Sequence, residues 1–217
     1  MILCTTKMAS KKAVESAVNE CLSSSSKSFC IKHHQLEAIN HIVNGKDMLC
    51  ILPTGYGKSL IYQILPKLFL KLNNNADAVS SAVFTSITHP TVLVISPFLS
   101  LITNQVNEAN SCGLNLRASA LDSKLYTEIA AGTFNIIFGT PESWLQSKRW
   151  RNMLSNKFFS SNLIAIVVDE VHLVSCGISQ KSETPFREIF GQISIIRSLC
   201  CTVPMLALSA SVSHLIL

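Results

Sequence analysis

The residues best equipped for chemistry lie between 53 and 59, Pro53-Thr54-Gly55-Tyr56-Gly57-Lys58-Ser59. A short apolar run, Met48–Leu52, precedes them, and a helical stretch from Leu60 to about Leu72 follows. Gly55 and Gly57 let the backbone curl so that successive N–H groups face inward, which makes a concavity for anions. A helix beginning at the loop adds partial positive charge. Lys58 is placed to reach the β- and γ-phosphates of a nucleotide, and the Ser59 hydroxyl to ligate Mg²⁺. A turn that merely contains glycines would not need a lysine and a hydroxyl in this register behind a strand.

A second chemical group stands far along the chain. Leu163–Val168 (LIAIVV) is the most apolar run in the sequence and stops at Asp169-Glu170-Val171-His172. A carboxylate at the end of a buried strand is well placed to hold Mg²⁺, so Asp169 is the expected second metal residue beside Ser59. Glu170 is positioned to accept a proton from an attacking water, and His172 to sense the γ-phosphate. Alone, the tetrapeptide reads equally well as an acidic turn with a core histidine. Together with the loop at 53–59 it reads as the other half of a MgATP site.

These residues must be held by strands and helices, and the apolar periodicity supplies them. Strands are expected at Met48–Leu52, Thr91–Ser96, Leu116–Ala120, Asn135–Gly139, Leu163–Val168 and Met205–Ser209. Helical spacing marks Ala9–Leu22, Gln35–Val43 with an Asn44-Gly45 stop, Leu60 to about Leu72, and a stretch through Leu99, Ile102, Val106 and Ala109. Ser23–Ser26 reads as a linker, and Asn73–Pro90 as an exposed insertion. Buried strands alternating with amphipathic helices predict an α/β fold, a parallel sheet with helices on both faces. Ligands in such folds bind at the carboxyl ends of the strands. Polar segments follow five of these strands, at 53–59, 96–97, 139–142, 169–172 and 209–211, so one edge of the sheet is expected to carry the chemistry. The expected organisation is an N-terminal helix with its linker (1–28), then one nucleotide-binding domain (29–217).

Composition agrees with a folded chain and adds little specificity. Of the 217 residues, 48% are apolar and 14% charged, too little charge for a disordered chain. The net charge of +5 fits a phosphate-bearing partner but does not demand one. Lys148, Arg149 and Arg151 form the tightest basic group, with Trp150 among them, and read first as a solvated helix end. Eight cysteines include no Cys-x-x-Cys pair, and no His/Cys cluster has zinc spacing. The cysteines are expected to be small buried hydrophobes of a reducing compartment. No run of about 20 apolar residues exists, so no membrane span is expected.

With these motifs in hand, the sequence resembles the DEAH-type superfamily 2 helicases, and among them the RecQ family, from about Ile31 to Ser211. The segment NGKDMLCILPTGYGKSLIYQILP (44–66) resembles the first motif block, in the short Thr-Gly-x-Gly-Lys-Ser form that helicases use. That form dispenses with a glycine at position 52, where Leu52 stands. Gln35 resembles the glutamine that reads the adenine edge, and Lys32 occupies the place of an arginine that stacks on the base. ISPFLSLITNQV (95–106) and FGTPESW (138–144) resemble motifs that contact single-stranded DNA. The resemblance thus implies nucleic-acid contacts at Ser96, Pro97, Ser100, Gln105, Thr140, Pro141 and Glu142. VVDEVHLVSCG (167–177) resembles the metal motif and the start of an aromatic-rich loop, and LALSASVS (206–213) the motif that couples hydrolysis to movement. Phe186-Arg187 resembles the Phe-Arg pair that follows the loop.

The resemblance implies a RecA-like P-loop domain, a DNA substrate, movement in the 3′-to-5′ direction, and a compartment that is nuclear or cytoplasmic, the nucleus favoured. It also implies a second RecA-like lobe supplying arginines that complete the ATP site. The sequence given stops at Leu217, so the lobe as it stands is expected to bind ATP, hydrolyse it slowly and leave duplex unwound.

Some positions depart from the family. Lys32 lacks a planar face for stacking. Cys176 replaces a tryptophan whose stacking on a base is worth about 1–3 kcal/mol. Two further functions therefore stand beside the helicase lobe. One is a degenerate, non-motor module that binds ATP and nucleic acid, favoured by Cys176 and opposed by the intact Lys58, Ser59, Asp169 and Glu170. The other is a P-loop kinase or transferase, opposed by the Ser96-Pro97 and Gly139-Thr140-Pro141-Glu142 strand ends, for which a small-molecule kinase has no use.

Overall fold

The computed structural model describes residues 9–74, 87–171 and 193–210. Its six strands are β1 (Met48–Ile51), β2 (Thr91–Ile95), β3 (Ala118–Ala120), β4 (Ile136–Gly139), β5 (Leu163–Val168) and β6 (Met205–Ser209). They form one sheet in the order β1-β6-β5-β2-β4-β3, and every pairing is parallel. Parallel strands need crossover connections, and the helices between them cover the two faces.

The alternation of side chains divides the core in two. Val92, Val94, Ile136, Phe138, Ala165 and Val167 point to one face. Leu93, Ile95, Ile137, Ile166 and Val168 point to the other. The first face is packed by α1 (Lys11–Ser23), α2 (His33–Val43), α3 (Lys58–Gln63), α4 (Leu65–Asn74) and α5 (Leu99–Ser111). The second is packed by α6 (Tyr126–Ala130), α7 (Pro141–Gln146), α8 (Lys148–Leu154), α9 (Lys157–Asn162) and α10 (Ile193–Leu199). Central strands β2 and β5 are buried along their whole length, which is why their sequences are unbroken apolar runs without alternation. Edge strand β1 leaves Leu49 and Ile51 exposed.

Several expectations change. The helix foreseen from Leu60 to Leu72 is two helices. Pro66 has no N–H to donate to the Tyr62 carbonyl, so the chain bends at Ile64, while Leu68 N still reaches Ile64 O at 3.0 Å. The N-terminal helix does not stand apart. Val14, Ala17, Val18, Cys21 and Leu22 join the same core as α2 and α4, and Ser10 caps α1 by accepting from Ala13 N. The segment read as an exposed insertion is tied down at both described ends. Asn73 donates to Ile87 O at 2.7 Å, and Asn162 Oδ1 accepts from the amides of Thr88 and His89 at 3.0 and 2.8 Å.

The basic group 148–151 lies on a helix as expected, but Trp150 is buried against Tyr126 and Trp144, while Arg149 lies over the Tyr126 ring. Helices α6 to α10 carried too short an apolar pattern to be foreseen. Of the cysteines described, Cys21, Cys50, Cys112 and Cys200 are buried as expected, whereas Cys30 and Cys201 are exposed.

Candidate functional site

The loop after β1 bends as its glycines require. Gly55 and Gly57 have φ of +79° and +88°, a region that side chains strain to enter. Tyr56 N donates to Pro53 O at 3.1 Å, closing the turn, and Leu60 N donates to Gly57 O at 3.1 Å, opening α3. Pro53, Thr54 and Gly55 are exposed, and Lys58 and Ser59 are half-buried at the start of α3. The Lys58 ammonium donates to Leu52 O at 3.1 Å, so it lies back across its own loop.

Gln35 holds this loop from behind. It is 2% exposed; its Nε2 donates to Tyr56 O at 3.1 Å and to Gly57 O at 2.8 Å, and its Oε1 accepts from Lys32 N. The amide expected to read adenine has its donors engaged on the loop. Lys32 packs its ammonium 4.1 Å from the centre of the Tyr56 ring and donates to Tyr56 O. Lys32, Gln35, Tyr56, Gly57, Ser59 and Gln63 share the lining of one cavity of about 290 Å³. Beside it, on the first turn of α2, His33 and His34 Nδ1 both lie 3.4 Å from Glu37 Oε2. These three donors converge although no zinc spacing marks them, because helical geometry brings positions three and four apart together; His33 and His34 are exposed.

Asp169 caps β5. Its N donates to Ile95 O at 2.9 Å, which seats it in line with the end of β2. One carboxylate oxygen accepts from Glu170 N at 3.0 Å and the other from Gln105 Nε2 at 2.7 Å. Burial pushes the Asp169 carboxyl above the usual range, and the neighbouring Glu170 charge adds to this. The Gln105 amide, the Glu170 N–H and the Lys58 ammonium oppose it. Glu170 has φ of +50°, an uncommon conformation for a side chain of its size. Burial likewise pushes the Tyr62 phenol, next to Ser59, well above its ordinary value.

Lys58 and Asp169 therefore share a field, and the sheet explains why. Between β1 and β5 lies only β6, and all three run the same way. Two inter-strand steps separate the loop from the aspartate by about 10 Å. The donor set is a hydroxyl and a carboxylate, hard oxygens that suit Mg²⁺, with water completing its coordination. Ser59 and Asp169 fit that ion, and an unpaired buried carboxylate gains from a cation beside it.

The segments expected on nucleic acid divide. Ser96 is fully buried, its N–H bonded to Gly139 O, and Pro97 is buried too, so neither side chain offers a surface. Ser100 is exposed, next to Phe98 and Leu99, which are 46% and 73% exposed. Thr140 is buried and its hydroxyl caps α7, accepting from Ser143 N at 3.3 Å. Pro141 is buried in the first turn of α7, and Glu142 is half-buried there. Gln105 turns its amide to Asp169, not to the surface. A signal for this existed: Gln105 lies three residues after Ile102 and four before Ala109, a polar residue on the buried stripe of α5. His172, Cys176, Phe186-Arg187 and residues from Ser211 onward lie outside the described residues.

The family model for DEAD/DEAH box helicases matches residues 32–216. The chain is 31% identical over 189 residues to the ATP-dependent helicase SGS1 of Saccharomyces cerevisiae, covering 83% of this chain and 12% of the relative. It is 28% identical to the RecQ-like DNA helicase BLM of Xenopus laevis, covering 82% and 12%. The ATP-dependent DNA helicase RecQ of Haemophilus influenzae is also 28% identical, with 83% and 25% covered. The chain thus spans an eighth to a quarter of the length of these relatives.

Among solved structures, the UvsW helicase from Bacteriophage T4 superposes with a TM-score of 0.55 at 20% identity, over 93% of this chain and 60% of that one. The helicase MrfA bound to DNA and AMPPNP superposes with a TM-score of 0.59 at 16% identity, over 92% and 26%. These two likenesses show the fold. The family model covers most of the chain, from residue 32 to 216, and so places it in the DEAD/DEAH box helicase family, with RecQ-type helicases among its relatives.

Proposed function

We propose that this chain is the ATP-binding lobe of a 3′-to-5′ DNA helicase, which couples ATP hydrolysis to movement on a single strand and to opening of duplex. The observation that carries the reading is the shared field of Lys58 and Asp169, which follow strands β1 and β5 on one edge of the sheet with only β6 between them. Pro53 to Ser59 cradle the phosphates, Lys58 placing its charge on the β- and γ-groups. Lys32, Gln35 and Tyr56 line the cavity beside the loop and hold the nucleotide's base side. Ser59 and Asp169 hold Mg²⁺, which when bound neutralises phosphate charge. Glu170 takes the proton from the attacking water, and His172 senses the γ-phosphate.

The nucleic-acid partner meets the edge formed by the starts of α5 and α7. Ser100 is the exposed hydroxyl there, and backbone groups near Ser96, Pro97 and Thr140 to Glu142 supply the remaining phosphate contacts. Such contacts are blind to base sequence and weaken with salt. A second RecA-like lobe completes the site in the working protein. Its place of work is where chromosomal DNA is, the nucleus in a nucleated cell. Among the described residues, no helix is long and apolar enough to cross a membrane.

The test is MgATP binding and hydrolysis by the purified chain, with and without single-stranded DNA. MgATP binding that Lys58→Ala weakens at least tenfold, together with slow hydrolysis that single strands raise, is the expected result. An unchanged affinity in Lys58→Ala overturns the phosphate-loop assignment. Binding without any response to single strands indicates the non-motor module, and phosphate transfer to a small acceptor a kinase.

A further inference from the structure

The middle of α5 touches the metal residue, and nothing in the proposed reaction yet uses that contact. Gln105 Nε2 donates to Asp169 Oδ2 at 2.7 Å, while Oε1 of the same amide is buried without a hydrogen-bond partner among the described residues. Asp169 is 9% exposed and has Glu170 as its neighbour in sequence and in charge. Its other oxygen is held by Glu170 N. A carboxylate in such surroundings adopts one orientation only if donors on both oxygens fix it.

The choice of side chain matters. A lysine or arginine at position 105 would satisfy Asp169 but would cancel the negative charge that a divalent cation needs. An amide gives a hydrogen bond and leaves the charge in place. The helix carrying it is firmly seated. Ile102 and Ala109 are buried, and Asn110 makes paired bonds with the backbone of Ala118, donating to its carbonyl at 3.0 Å and accepting from its N–H at 2.8 Å. The same helix begins at the exposed Phe98, Leu99 and Ser100.

We propose that Gln105 is a positioning residue that orients the Asp169 carboxylate for a divalent cation. This rests on the ATP-binding reading above, and the experiment separates the two. A fluorescent ATP analogue is bound to the full chain at fixed concentration while Mg²⁺ is titrated, and its affinity is measured separately in EDTA. Gln105→Leu removes both polar atoms; Gln105→Met keeps the length and flexibility of the side chain and serves if the leucine variant fails to fold. Exposed Asn107→Ala on the same helix is the control.

Half-saturating Mg²⁺ is expected to rise about 10–100-fold in the Gln105 variants, the range for loss of a partner that orients a metal ligand. Binding in EDTA and the Asn107→Ala titration stay within twofold of the parent. A half-saturation point unmoved in both Gln105 variants overturns the proposal alone, as does an equal loss of binding with and without Mg²⁺, which marks a merely structural contact. A parent chain whose nucleotide binding ignores Mg²⁺ overturns this and the proposed function together.

Discussion

Replacing Gly57 by alanine tests how the 53–59 loop is held in shape. Two costs can be separated because Gly55 is an internal comparison. Both glycines have positive φ, +79° and +88°, so an alanine at either position takes on backbone strain of about 1–2 kcal/mol. At Gly55 a new Cβ meets nothing within 4 Å, and strain is the whole cost. At Gly57 it would lie 2.8 Å from Gln35 Nε2, an atom that holds two loop carbonyls. Relieving that clash means moving the amide and losing bonds worth about 0.5–1.5 kcal/mol each. Gly57→Ala should therefore cost about 2–5 kcal/mol, and Gly55→Ala about 1–2 kcal/mol. Urea unfolding of the single variants measures both. The cycle with Gln35→Ala is the sharper assay: with the amide gone, the excess cost at Gly57 should vanish, giving a coupling of about 1–3 kcal/mol. Equal costs at the two glycines, or no coupling with Gln35→Ala, would show that Gln35 does not grip the loop and that the reasoning is wrong.

Two further outcomes concern the acidic pair. Because burial raises the Asp169 carboxyl in the folded chain, its charge opposes folding above the folded pKa, and the penalty vanishes as pH falls below the unfolded one. Asp169→Asn keeps an acceptor for Gln105 and should raise Tm at neutral pH, with the gain shrinking in mild acid, while Mg²⁺-dependent nucleotide binding is lost; a variant less stable than the parent at neutral pH contradicts this. Glu170→Gln should bind MgATP like the parent and lower turnover about 10²–10⁴-fold, the range for a lost general base, in a steady-state phosphate-release assay. Turnover at the parent rate would remove Glu170 from that role.

The local pattern of the chain determined its fold and marked half of its candidate site. LIAIVV and TVLVI have no alternation, so they had to be buried on both faces, and they are the two central strands. The glycines and lysine of 53–59 fixed a loop conformation through bonds between near neighbours. The ends of β1, β2, β4, β5 and β6 were readable as one edge because parallel strands must all finish on the same side. Tertiary structure decided which polar residues at that edge face solvent. Ser96, Pro97 and Thr140 occur in segments that look like contacts, yet Ser96 and Pro97 are packed under the sheet edge, and Thr140 spends its hydroxyl on a helix cap. Gln105 meets Asp169 across 64 residues. Gln35 reaches the loop from 21 and 22 residues away. No periodicity reports such meetings, because hydrogen-bond partners distant in sequence are set by strand order, and β6, the last of the described strands, had to insert between β1 and β5 before the loop and the aspartate could share one field.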